Sequence, residues 1–122
     1  MKLRIHKSNL RLRLSQSEAA SLARGQAVQQ TTVFAPAARF VCGIEPAPTP
    51  HLTASFEGGR LWVRVPLNWV QKWAASDHVA IKAMQSAGAG EELEILIEKD
   101  FQCLHGGPER RDHDAFANPA AP

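Results

Sequence analysis

The chain predicts an α+β fold that is mainly β, with about eight antiparallel strands in a barrel or a sandwich and two short helices. Three observations lead there. Apolar and polar residues alternate with period two in short runs along most of the chain. Two segments carry helix-start signals directly after such a run. The same order also occurs twice: Asn9–Leu14, then Ser15–Arg24, then Val28 is answered 51 residues later by Arg60–Val65, Pro66–Ala75 and Val79. A recurring unit of this kind limits architecture more than any single motif limits chemistry.

Each element has a local reason. Lys2–His6 sets Leu3 and Ile5 against Arg4 and His6, and Asn9–Leu14 sets three leucines against Arg11 and Arg13. Only Lys7-Ser8 separates the two runs, so they read as a hairpin. Ser15-x-x-Glu18 is a capping-box pattern opening the first helix, and Gly25 suits its end. Val28–Phe34 is rich in Thr and Val and reads as a strand, as does Arg39–Glu45 with Phe40, Cys42 and Ile44 on one face. Glu45–Pro50 holds three prolines and reads as an extended linker outside any ladder.

The second unit opens with Leu52–Glu57, Gly58-Gly59 and Arg60–Val65, where paired glycines mark a tight hairpin. Pro66 begins a helix whose apolar face carries Leu67, Trp69, Val70, Trp73 and Ala74. Val79–Ala83 and Glu92–Asp100 are the last strands, with residues 85–91 as a flexible loop. The expected organisation is one β-rich domain over 1–104, with units 1–45 and 52–104, and a polar, proline-rich tail over 105–122 that Phe116 alone could dock. Few residues are identical between the units, so duplication and convergence on one layout both remain open at this level.

Composition narrows the function classes. At 122 residues, 44% hydrophobic and 21% charged, the chain is long enough for its own core. The net charge of +2 is too small to imply nucleic acid alone, but it is unevenly placed. Residues 1–60 hold 8 Lys/Arg against 3 Asp/Glu, and residues 61–122 hold 6 against 9. Two cysteines make no disulfide framework, and no run approaches a membrane span or a leader's apolar core. A cytoplasmic protein with no membrane partner is the expectation.

Candidate ligand-binding residues follow from the non-core faces. Arg4, Arg11 and Arg13 share one hairpin face, and Trp62 and Arg64 lie on the corresponding face of the second. Glu94 and Glu98 mark the acidic face of the last strand, which ends in Lys99 and Asp100. The plainest reading pairs these charges across strands. A second reading lets cations follow phosphates while Trp62 stacks a base of single-stranded nucleic acid. A third turns the charged face into a barrel lumen for a polyphosphate or nucleotide, with the carboxylates holding Mg²⁺. That layout superficially resembles the triphosphate-tunnel folds, but their Glu-x-Glu-x-Lys strand is missing: Glu92-Leu-Glu94 lies late in the chain and Leu96 stands where the lysine belongs.

Cys103, His105 and His113 are the right types for a metal but have no matching spacing, so no metal and no cofactor are expected. There is no nucleophile elbow, phosphate loop or dinucleotide fingerprint. The reading is therefore a binding or interaction module rather than an enzyme, with a homodimer and an anionic ligand as candidate partners.

One further likeness spans nearly the whole chain. Met1-Lys-Leu-Arg-Ile5, Leu10-Arg-Leu-Arg-Leu-Ser15, Ala54-Ser-Phe-Glu57, Val63-Arg-Val-Pro66, Glu98-Lys-Asp-Phe-Gln-Cys-Leu104 and Phe116-Ala-Asn-Pro119 together resemble a family of small bacterial proteins of unknown function. Ser8 and Ala117 depart from its usual turn and tail residues. The resemblance implies a bacterial, cytoplasmic protein and transfers no catalytic residue.

Overall fold

The computed structural model describes residues 1–101 and 114–119. The elements run β1 (Lys2–His6), β2 (Asn9–Leu14), α1 (Gln16–Ala23), β3 (Val28–Ala35), β4 (Ala38–Ala47), β5 (Thr53–Glu57), β6 (Arg60–Pro66), α2 (Leu67–Ala74), β7 (Ala80–Gly88) and β8 (Glu91–Lys99). Each half is hairpin, helix, hairpin, as the sequence predicts. Ser15 and Glu18 form the capping box reciprocally. Gly58 and Gly59 both take positive φ in the β5–β6 turn, a conformation open to glycine at little steric cost.

The strands form two four-stranded sheets, β1-β2-β8-β7 and β3-β4-β6-β5, and not a closed barrel. Nor are all the pairings antiparallel. The four hairpins are antiparallel, but the central pairings β2–β8 and β4–β6 are parallel. The cause is an exchange between halves. The first hairpin of each half pairs with the second hairpin of the other, so each sheet is assembled from both halves of the chain.

Two further expectations are corrected. The supposed linker is partly strand: Pro46 and Ala47 pair with Val65 and Pro66. Proline is tolerated there because β3 ends opposite Ile44, which leaves β4 an empty side for the missing N–H. The supposed loop after Ala83 is also strand, since β7 pairs as far as Gly88 through an irregularity between Ser86 and Gly88.

The halves correspond element by element. A shift of 51 residues carries Lys2–His6 onto Thr53–Glu57 and Gln16–Ala23 onto Leu67–Ala74. A shift of 53 carries the β3–β4 irregularity, between Val33 and Ala35, onto that of β7–β8. Sheet register follows: Arg13 pairs with Glu98 in one sheet, and Arg64 with Glu45 in the other.

The core lies between the sheets. Leu10, Leu12, Leu14, Ile95 and Ile97 meet Cys42, Ile44, Leu61, Val63 and Val65, all buried. Ala19 and Leu22 of α1 and Val70 and Trp73 of α2 join the same cluster. The helices pack on each other, and Gln71 donates to the Ala23 carbonyl at 3.1 Å. Burial pushes the Cys42 thiol up, so it acts as a small core hydrophobe rather than a nucleophile.

Residues 114–119 return to the domain. Phe116 packs against the core and against Phe101, with ring centroids 6.2 Å apart. The Asp114 carbonyl accepts from the Gln16 N–H at 2.8 Å, and its carboxylate accepts from the Ser17 N–H at 3.0 Å and from the Ser17 hydroxyl. These are N–H groups of the first turn of α1, which the helix itself cannot satisfy. The Ser17 hydroxyl, the Ser17 N–H and the Ser15 hydroxyl hold the Asp114 carboxyl below the usual carboxylate range. Its contribution is therefore complete above the ordinary aspartate pKa and is lost as pH falls through the lowered value.

Candidate functional site

The apolar residues of β2 and β8 face inward, so the alternate set must face out. Arg11 and Arg13 thus lie on the outer face of the β1-β2-β8-β7 sheet, with Lys2, Arg4 and His6 beside them. Glu94 and Glu98 share that face. Glu98 receives both Arg11 Nε at 3.5 Å and Arg13 Nε at 3.7 Å. Glu94 accepts from Asn9 Nδ2 at 2.9 Å and meets Lys82 Nζ at 3.8 Å. Most of the wall is neutralised in pairs that are individually worth little.

Trp62 and Arg64 are elsewhere. They project from β6 on the outer face of the other sheet, where Arg64 Nε pairs with Glu45 at 3.2 Å. Arg60 lies over the Trp62 ring at 5.7 Å. Arg13 and Arg64 occupy corresponding positions, but on opposite sides of the molecule and not beside one acidic strand. A nucleic-acid groove combining the basic hairpin with Trp62 is therefore not assembled. Among the described residues no charged lumen is assembled either, because the space between the sheets holds the leucine, isoleucine and valine core.

Trp62 is placed by its neighbour. It pairs in register with Gly43 of β4, and its ring lies so close that a Cβ on Gly43 would sit 1.8 Å from Cζ3. Gly43 has no positive φ, so here glycine is required by space rather than by backbone conformation. Replacing Gly43 with alanine is expected to destabilise the fold by about 1–3 kcal/mol through overpacking. The same change in a Trp62→Ala background should cost less than about 1 kcal/mol, since a strand glycine otherwise weakens its element. Urea denaturation of the four proteins in that cycle measures the coupling.

A family model described as Family of unknown function (DUF7009) matches residues 1–120. The chain belongs to this family. No curated protein and no solved structure matches it. The whole-chain likeness read from the sequence is thus a family relationship, and this DUF7009 chain brings no assigned site with it.

Lys99 and Asp100 form a third location. Lys99 follows Ile95 and Ile97 on the inward face of β8 and is 6% exposed. Its ammonium donates to the Ser76 carbonyl, just past α2, and lies 5.7 Å from the Trp73 ring and 5.4 Å from the Phe116 ring. Asp100 is nearly buried and accepts Lys2 Nζ at 2.7 Å. A cleft of about 680 Å³ lies beside them, bordered by Ser76, Asp77, Phe101 and Pro119. The lysine joins a strand end, a helix end and the returning tail, which makes it a clamp in the fold.

Cys103, His105 and His113 lie outside the described residues. Among the described residues, no three His, Cys, Asp or Glu side chains gather as metal ligands would, and no helix is long and apolar enough to cross a membrane.

Two features went unread in the sequence. Gln85 of β7 reaches the β5 edge, where its amide accepts from the Ala54 N–H at 2.7 Å and donates to the Ala54 carbonyl at 2.8 Å. It stitches the two sheets as a strand backbone would. Its parity with Ile81 and Ala83 was the available signal. The second feature is the exposure of β3, whose strand character the sequence does predict. All of Gln29–Ala35 is exposed, with Val33 60% and Phe34 74% accessible.

Proposed function

We propose that this chain is a non-catalytic interaction module, built as an internal repeat, that pairs with a second copy of itself along the outer edge of β3. The observation that carries this reading is the bareness of that edge. Among the described residues the edge strands are β1, β7, β3 and β5. Exposed edges recruit other strands unless charge, brevity, proline or a cover prevents it. β1 carries Lys2, Arg4 and His6, β5 is short and ends in Glu57, and β7 carries Lys82 and is tied to β5 by Gln85. β3 is eight residues long, with no charge and no proline.

The corresponding strand makes the contrast sharper. The 53-residue shift places Gln29 where β7 has Lys82, and Thr32 where it has Gln85. One half keeps both guards and the other keeps neither. Antiparallel pairing of β3 with its own copy opposes only uncharged residues in any register, whereas β1 paired with itself would oppose cations. Val33 and Phe34 add apolar area that a lone hydrogen-bonded edge lacks.

Sedimentation equilibrium over a wide concentration range tests the proposal. The wild-type chain should be dimeric, and Thr31→Lys, which sets two lysines near the two-fold axis of the paired strands, should be monomeric with unchanged far-UV circular dichroism. A monomeric wild-type chain, or a dimer indifferent to Thr31→Lys, would overturn it.

A further inference from the structure

Arg4 and Arg11 are direct partners across the β1–β2 ladder, and His6 and Asn9 are the next outward-facing pair. Like charges placed directly opposite weaken a sheet. Arg11 turns its Nε toward Glu98, but that carboxylate is shared with Arg13. Among the described residues no carboxylate lies within ion-pair distance of Arg4. Arg4, His6, Asn9 and Arg11 line a surface depression of about 130 Å³.

The architecture does not demand this arrangement. The same four positions in the other sheet hold Ser55 opposite Trp62 and Glu57 opposite Arg60. There the pairs are neutral or opposite in charge. One sheet therefore keeps a like-charged pair where its counterpart keeps neutral and opposite-charge pairs. Local rules broken without a structural gain are where a ligand is to be sought.

We infer that this depression binds a tetrahedral oxyanion, either inorganic phosphate or the terminal phosphate of a small molecule. Two guanidinium forks match phosphate oxygens in pairs, and a doubly charged anion removes the repulsion between them. Asn9 has one amide hydrogen on Glu94, which orients its side chain in the lining of the depression. A phosphodiester offers one charge and fewer free oxygens, so the site favours a terminal phosphate over a nucleic-acid backbone.

Thermal melts at constant ionic strength test the inference, with inorganic phosphate, methyl phosphate and an unphosphorylated single-stranded oligonucleotide as probes. Wild-type protein should gain melting temperature saturably with the first two and not with the third. Arg4→Gln should melt higher than wild type without phosphate, because the repulsion is gone, and should lose the phosphate-induced rise. Arg39→Gln, on β4 and outside the depression, should respond as wild type does. A phosphate response equal in Arg4→Gln and wild type, no response in wild type, or a response confined to the oligonucleotide would each overturn it.

Discussion

Replacing Trp73 with alanine is expected to destabilise the fold by about 3–5 kcal/mol, the range found for emptying a large buried aromatic site. That is a large share of the roughly 5–15 kcal/mol that holds a domain together, so the variant should be partly unfolded at physiological temperature. The reason lies in where the ring sits. Trp73 is 2% exposed, at the end of α2, inside the cluster shared by both sheets. Its indole N–H donates to the Val79 carbonyl at 3.1 Å, which ties α2 to the start of β7. One face of the ring also meets the Lys99 ammonium. The cavity would therefore open where helix, strand and cation converge.

Trp73→Phe separates volume from hydrogen bonding. The Val79 carbonyl accepts not only the indole but also the Lys99 backbone N–H, at 3.0 Å. Removing the indole donor does not leave that oxygen unpaired. The phenylalanine variant should lose about 1–2 kcal/mol, from the lost bond and a smaller void. Guanidinium denaturation followed by circular dichroism distinguishes the two costs. A loss in Trp73→Phe as large as in Trp73→Ala would mean that the hydrogen bond, not the packing, anchors the helix.

How much of the fold is written in the sequence divides along the range of the interactions. Ser15 and Glu18 lie within one helical turn, and Gly58-Gly59 closes its own hairpin, so capping and turn chemistry are written locally. The alternation of Leu10, Leu12 and Leu14 identifies an inner and an outer face just as directly. It says nothing about which hairpin lies alongside. A strand with three leucines on one face alternates identically beside a parallel or an antiparallel neighbour. The exchange between halves, which sets β2 beside β8 and β4 beside β6, is therefore invisible in local pattern. Composition misled at Pro46, because proline excludes a strand only where both sides are occupied. Charge and alternate position place Arg4, Arg11 and Arg13 on one face of the first hairpin, and the register puts them there. Trp62 and Arg64 went to the opposite outer face because strand parity does not say which sheet a hairpin joins.

Lys99 gives the second large effect, and its position was legible by parity alone, since it continues the inward series Ile95 and Ile97. Charge concealed it: a lysine between Glu98 and Asp100 looks like the start of a solvated segment. Its ammonium instead makes a charge-assisted hydrogen bond to the Ser76 carbonyl between two aromatic rings. Bonds of that kind contribute about 1.5–3 kcal/mol, and a desolvated cation–π contact about 1–2 kcal/mol more. Lys99→Ala, which removes both and the buried stem, should therefore cost about 3–4 kcal/mol. Lys99→Met retains the stem but loses both charge terms, and should cost about 2.5–3 kcal/mol, the low end of their sum because the ammonium's desolvation cost also disappears. The two variants should also release Phe116, whose ring is held partly by the cation, and limited proteolysis near residues 114–119 should accelerate in both. If Lys99→Met were as stable as wild type, the buried charge would be dispensable to the fold, and its place beside the cleft of about 680 Å³ would need a ligand to account for it.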